Sequence, residues 1–236
     1  MRPLNDTASV REQYATERNL RARQALYEET TGPHPADVLW EAIASLAPQR
    51  VLEVGGGEGW LSQRMQDELQ ADVTMVDQSE RMVELARARG IRAEVGDVQE
   101  LPFDDGTFDL VVAAWMLYHV ADLDRGLAEI ARVLAPGGHL VCNTSALHHL
   151  AELRDLVGYP WDDRTLTFNA GNAEEILLRH FRTVERTDVE GTATVRDRQR
   201  LVDYRDSLMV ETRPVPEDVP LPFVVRTGGV MFVAAR

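Results

Sequence analysis

From Val51 onward the chain alternates short, mainly apolar runs with longer stretches in which apolar residues return every three or four positions. The runs are Val51 to Val54, Val73 to Val76, Ile91 to Val95, Leu110 to Ala114 and His139 to Asn143; amphipathic stretches lie between them at Trp60 to Leu69, Arg81 to Arg89 and Leu123 to Leu134. Strands without a polar face are covered on both sides. The pattern therefore predicts five strands of a doubly wound parallel sheet, with the ligand crevice at their carboxyl ends. Ahead of it, Asp6 to Glu29 reads as a helical arm closed by Thr-Gly-Pro at 31–33, and Pro35 to Leu46 as a second helix.

After Thr144 the regularity loosens. Helices are expected near Ala146 to Val157, up to His180 and near Arg198 to Leu208, with a strand from Thr183 to Val189. Four prolines, at 214, 216, 220 and 222, lead into two short β runs, Phe223 to Val225 and Val230 to Ala234, which Gly228-Gly229 is expected to join. This half is where substrate specificity is expected to be added.

The chain has 236 residues, 44% of them hydrophobic, enough for one domain with a sizeable core or a core domain with a small appendage. With 25 basic against 39 acidic residues, its formal charge of −14 repels polyanions and anionic membrane surfaces. Every basic residue is arginine, which excludes Schiff-base and pyridoxal-phosphate chemistry and a P-loop. Cys142 stands alone, so neither an intrachain disulfide nor a cysteine-based zinc cluster can form, and a reducing, cytoplasmic setting fits best. The stretch from Met1 to Tyr27 is charged throughout and lacks the apolar run of a signal peptide; no stretch reaches the roughly 20 apolar residues of a membrane span.

The first strand runs through Glu53-Val-Gly55-Gly56-Gly57-Glu58-Gly59-Trp60 straight into a helix, a context in which glycines permit a tight turn and close approach of a ligand to backbone. The dinucleotide fingerprint fails in both registers, because Trp60 or Ser62 stands where its third glycine belongs. An NAD-dependent dehydrogenase is therefore disfavoured. What fits is acidic-x-G-x-G-x-G at Glu53, Gly55, Gly57 and Gly59, and here the chain resembles the class I S-adenosylmethionine (SAM)-dependent methyltransferases.

Three further blocks carry the resemblance. Asp77-Gln78-Ser79 with Met82 and Ala86 is similar to the family's D-x-S-x-x-M-x-x-x-A; Gly96-Asp97-Val98 with Leu101-Pro102-Phe103 and Phe108-Asp109 is similar to its G-D and L-P-F-x-x-x-x-F-D block. Leu117-Tyr118-His119 and Arg132-Val133-Leu134-Ala135-Pro136-Gly137-Gly138 look like the ubiquinone-biosynthesis type of small-molecule branch, with tyrosine departing from the usual residue before the histidine. The match is close over roughly residues 35–143. It implies a Rossmann-like sheet of about seven strands, mostly parallel with an antiparallel C-terminal strand and a closing hairpin. The helical arm would occupy 1–33 and the methyltransferase domain 34–236, with a substrate-covering insertion at about 144–181.

The resemblance also implies roles. Asp77 accepts from the ribose diol, with Gln78 beside the adenine and Met82 in the same block; Asp97 accepts from the adenine amino group while Val98 packs on the ring; Glu53 faces the cationic end of SAM. Gly56 reads as merely permissive, and Asp109 as structural, away from the crevice. His119 is either a catalytic base or a loop-orienting residue. Tyr14 and Arg18 are expected on the arm, able to close over the cofactor or equally to lie on a surface helix. Trp115 and Tyr118 line the pocket, where either ring can attract a sulfonium, or belong to the core. His148, His149, Tyr159 and Trp161 are expected in a substrate wall, without a metal. The implied activity is methyl transfer to a small molecule by a monomer or homodimer that engages neither nucleic acid nor membrane. Two alternatives are a protein of this fold that binds SAM without methyl transfer and, disfavoured by charge, an RNA or protein methyltransferase.

Overall fold

The computed structural model describes residues 18–159, 166–208 and 211–236, with backbone alone at Arg18 and Leu20. After a helix α1 (Arg18–Gln24) come β1 (Thr30–Thr31), α2 (Pro35–Ser45), β2 (Arg50–Val54), α3 (Trp60–Leu69), β3 (Asp72–Asp77), α4 (Glu80–Ala88), β4 (Arg92–Val95) and β5 (Phe108–Ala113). A 3-10 turn (Leu117–His119) leads to α5 (Leu123–Val133) and β6 (Leu134–Ser145); α6 (Ala151–Val157), α7 (Ala173–Leu177), β7 (Thr183–Val195), α8 (Arg198–Asp206) and β8 (Phe223–Ala235) complete the chain.

One sheet holds the eight strands in the order β1-β7-β8-β6-β5-β2-β3-β4. Strands β2 to β6 run parallel to one another, whereas β8 runs antiparallel between β6 and β7. The doubly wound α/β architecture is thus the one the alternation predicts, with the two-residue β1 as an additional edge. Leu52, Val54, Val111, Leu140, Cys142 and Phe232 face α5 and the segment around Phe168. Val51, Val73, Leu110, Val112, Val141 and Met231 face α2 and α3. Side-chain caps start the helices around the crevice: Ser79 Oγ accepts from the Met82 amide at 3.3 Å and Asp122 from that of Arg125 at 3.1 Å.

Three expectations from the second half are corrected. Gly228-Gly229 is no hairpin turn, because β8 runs unbroken through it. These glycines admit close neighbours: a Cβ on Gly228 would lie 2.8 Å from Ala146 Cβ, and one on Gly229 3.3 Å from Pro35 on the other face. The helix expected from Ala146 begins only at Ala151, since residues 146–150 bond to β8 instead, through Ala146 N–H to Gly228 O (3.1 Å) and Leu150 N–H to Arg226 O (2.8 Å). Strand β7 continues past Val189 to Val195, paired with β8 along its whole length. Residues 25–31 are built into the same structure: Leu26 shares a core with Leu153, Leu201 and Val225, and β1 pairs with Thr192 and Ala193.

Candidate active site

Gly55, Gly57 and Gly59 all have positive φ, at 68°, 57° and 78°, so the chain can reverse from β2 into α3 within six residues. Gly55 N–H donates to Val76 O at 2.7 Å. Asp77, at the end of β3, accepts from Gly57 N–H at Oδ2 and from Ser79 N–H at Oδ1, both at 2.9 Å. Its carboxylate therefore clamps the glycine turn to the next strand, and burial raises its pKa. Each oxygen keeps acceptor capacity after one backbone bond. A Cβ on Gly57 would find nothing within 4 Å, so this backbone lies open above the turn. Gly56 is not merely permissive: its Cβ would stand 2.6 Å from Met75 Cγ and 2.9 Å from Glu53 Cδ.

Glu53 is 2% exposed and takes the hydroxyl hydrogen bond of Ser62, on α3. Burial pushes its pKa up to about 7, helped by the Asp77 charge and opposed by Ser62. Beyond Asp77, the side-chain oxygen of Gln78 is buried without a hydrogen-bond partner among the described residues. Asp97 accepts from the backbone and side-chain nitrogens of Gln99 at 2.9 to 3.0 Å, while Gln99 Oε1 accepts from the Asp122 amide at 2.8 Å. Met82 and Val98 are buried, 1% and 3% exposed, and Val98 belongs to the core on the α5 face.

At the end of β5, Trp115 holds a left-handed φ of 52°, and its N–H donates to Asn143 Oδ1 at 2.7 Å. Trp115 packs with the α2 face of the sheet, whereas Met116 and Tyr118 pack with the α5 face. Met116 also covers Gly55, where a Cβ would stand 2.8 Å from Met116 Cβ. The rings of Tyr118 and His119 meet edge to face, centroids 4.5 Å apart. The adjacent histidines diverge: His148 lines a cavity beyond β6, while His149 is half-buried, accepting from Gly228 N–H (3.1 Å) and meeting Tyr27 Oη (2.8 Å). Tyr159 packs beside Val157 and Leu201. Arg18 opens α1; Tyr14 and Trp161 lie outside the described residues. Asp109 binds the amides of Gln49 and Arg50 at 3.0 to 3.1 Å, at the opposite end of the sheet from the glycine turn.

Sequence reasoning missed Ser62, Gln99 and Asn143. Asn143 carried a signal, a polar side chain closing an apolar strand; Ser62 and Gln99 carried none, since their importance comes from the acid each one meets.

Residues 52–142 match the methyltransferase domain family model. A demethylmenaquinone methyltransferase of Deinococcus radiodurans is 39% identical over 108 residues, 43% of this chain and 44% of that protein, so the match spans less than half of the relative's length. An uncharacterized methyltransferase of Mycobacterium tuberculosis is 34% identical over 175 residues, 70% of this chain and 67% of the relative. Among solved structures, YcgJ of Bacillus subtilis superposes with a TM-score of 0.59 at 16% identity, covering 84% of this chain and 97% of that one. The Haemonchus contortus phosphoethanolamine N-methyltransferase 2 complex with SAM gives 0.63 at 18% identity, covering 100% and 60%. Both structures speak for the fold. Motif order, sheet order and the long match to the mycobacterial relative agree: the chain belongs to the class I SAM-dependent methyltransferases.

Proposed function

We propose that this enzyme transfers a methyl group to a small-molecule acceptor by direct displacement, with the cofactor held across the ends of β2, β3 and β4. The observation that carries this reading is the Asp77 carboxylate, which fastens the Gly57 turn and still has acceptor capacity for a diol. The other groups fit SAM as well. The open backbone at Gly57 lets a ligand approach closely, the unpartnered oxygen of Gln78 suits a donor, and Glu53 places a buried carboxyl group directly under the turn that an arriving cation holds ionised.

In this reading Asp77 holds the ribose, Gln78 and Asp97 border the adenine, and Met82 and Val98 support the floor from within the core. Gly55, Gly57 and Gly59 supply the close backbone, and Glu53 attracts the ligand's ammonium group. When bound, SAM supplies a methyl group on a sulfonium, which an aligned nucleophile displaces to leave S-adenosylhomocysteine. Trp115 and Tyr118 are π faces at the end of β5 that attract the sulfonium. His119, fixed in the 3-10 turn by its amide bond to Met116 O (2.8 Å), takes the proton of a phenol or amine nucleophile. Arg18 and Tyr14 belong to the arm that closes over the ligand. Alignment alone contributes up to about 7–11 kcal/mol in favourable systems, so His119 is an aid and not a requirement.

Similarity to the demethylmenaquinone methyltransferase covers 43% of this chain, and the family domain ends at residue 142, before the insertion expected to face the acceptor. The small-molecule reading rests on the net charge of −14, which opposes a nucleic-acid acceptor. Calorimetric titration with S-adenosylhomocysteine and separately with NAD tests the pocket: tight binding of the former alone is expected, with loss in Asp77→Ala and Gly57→Arg. Folded variants that bind as tightly as the parent would overturn the assignment. SAM binding without stoichiometric S-adenosylhomocysteine from any acceptor would indicate a non-transferring protein.

A further inference from the structure

Beyond β6 lies a cavity of about 200 Å³ bounded by Ala146, His148, Ala170, Arg186, Asp188 and Val230. Strands β5 and β6 are parallel neighbours, so their carboxyl ends share one rim, and the Trp115–Asn143 bond ties the two ends together. The cavity is therefore on the crevice side of the sheet, one strand beyond Trp115. Thr144 is 1% exposed and its hydroxyl has no hydrogen-bond partner among the described residues. Because Thr144 is paired with Val230, the two side chains share one face of the sheet, the face on which Val230 lines the cavity. The hydroxyl itself lies behind the lining and is not part of the cavity wall.

The charges select among ligands. Arg186 makes a bidentate ion pair with Asp188 (3.0 and 2.8 Å) and donates to Ala170 O at 2.8 Å, so three of its five N–H donors are taken and its charge is paired. Glu190, also on the lining, leaves two carboxylates against one arginine. His148 brings its ring nitrogens to this lining, and Leu147 and Val230 are apolar walls. At about 200 Å³ the space is below the roughly 300–1,000 Å³ of drug-sized sites, and suits one ring or a short chain.

From this we infer that the cavity is the acceptor subsite, and that it takes a single-ring or short-chain molecule, uncharged or protonated, with one hydrogen-bonding group for His148; carboxylates and phosphates are rejected. This rests on the methyltransferase reading above. The test uses the full chain loaded with S-adenosylhomocysteine, titrated with three one-ring probes of similar size, p-cresol, benzylamine and benzoate. Calorimetry gives affinities, and backbone amide NMR shifts at Ala170 and Gly229 give the location.

The expected result is that p-cresol and benzylamine bind there, with benzoate weaker by about tenfold or more. Leu147→Trp, at a half-exposed wall position, is expected to abolish probe binding with the S-adenosylhomocysteine affinity unchanged. Asp188→Asn releases Arg186 and is expected to bring benzoate level with p-cresol. No probe binding, benzoate binding as well as the others, or an unchanged preference in Asp188→Asn would each overturn the subsite. Failure of S-adenosylhomocysteine itself to bind would instead remove the methyltransferase reading, and the acceptor role with it.

Discussion

Asn143 Oδ1 accepts the backbone N–H of Trp115 at 2.7 Å, and Trp115 is one of only four non-glycine described residues with positive φ. A bulky residue in this conformation is strained by about 1–3 kcal/mol, and it persists where the surroundings fix it. The bond joins the ends of β5 and β6 at the point where the chain leaves the sheet for Met116, Tyr118 and His119. Asn143→Ala removes the acceptor and leaves a part-buried N–H unsatisfied, an expected loss of about 1–3 kcal/mol. At this chain length that is roughly 2–4 °C in Tm per kcal/mol. A parent-like urea midpoint would show that packing alone holds Trp115.

Two adjacent glycines are expected to fail in opposite ways. Gly56→Ala drives a methyl into Met75 and Glu53, both buried, and is expected to lower stability by about 1–3 kcal/mol. Gly57→Ala meets no atom within 4 Å, and its strain at φ 57° is about 1–2 kcal/mol, but the new methyl stands where the ligand backbone contact belongs. Its S-adenosylhomocysteine affinity is expected to fall at least about tenfold. Thermal melts and titrations on both variants decide this; a Gly57→Ala protein of parental affinity would move the ligand away from the turn.

Asp77→Asn leaves one oxygen where two now serve Gly57 N–H and Ser79 N–H. Hydrogen bonds to a charged group contribute about 1.5–3 kcal/mol, so the affinity for S-adenosylhomocysteine is expected to fall roughly 10- to 150-fold. Asp109→Asn is the matched control, since Asp109 also binds two backbone amides, those of Gln49 and Arg50. It is expected to lower Tm and leave the affinity intact. Equal effects on affinity would mean that Asp77 acts only through the fold.

Local pattern made the first half legible. In β2, β3, β5 and β6 the apolar runs coincide with the strands because these are buried on both faces, while β4 is the exposed edge, and the polar signals at Glu53, Asp77 and Asp97 stand where strands end. The second half resisted because its determinants are contacts between distant segments. Gly228-Gly229 has the composition of a turn, yet Ala146 on one face and Pro35 on the other make it the middle of a strand. Residues 146–150 have helical periodicity, yet the carbonyls of Gly228 and Arg226 capture their amides. The same held at the site: Gly56 became indispensable only once Met75 and Glu53 were seen beneath it.

His149 makes the anchoring of residues 25–31 sensitive to acid. Its Nδ1 accepts from Gly228 N–H, so in the neutral ring Nε2 carries the proton and donates to Tyr27 Oη at 2.8 Å. Burial, with Arg154 and His148 adding to it, lowers its pKa from 6.5 to about 4. The folded state therefore binds fewer protons than the unfolded state between those values. The His149 contribution is complete above pH 6.5 and is lost as pH falls toward 4, a change of roughly 3 kcal/mol. The difference in urea stability between the parent and His149→Gln is expected to shrink from pH 7 to pH 4.5. A constant difference across that range would show that His149 titrates normally.

Glu53 has the opposite linkage and ties it to the ligand. With its pKa raised from 4.5 to about 7, the folded protein holds a proton that the unfolded chain has released, so stability falls as pH rises across that window. An ammonium group arriving above the turn favours the carboxylate and reverses the shift. At pH 6 the free protein carries about nine-tenths of a proton on Glu53, and binding S-adenosylhomocysteine is expected to release most of it. Calorimetry at pH 6 in buffers of different ionisation enthalpy measures that release directly. It is expected to fade by pH 8 and to vanish in Glu53→Gln; release that survives in Glu53→Gln would place the responsible carboxyl elsewhere and leave Glu53 as a buried partner of Ser62.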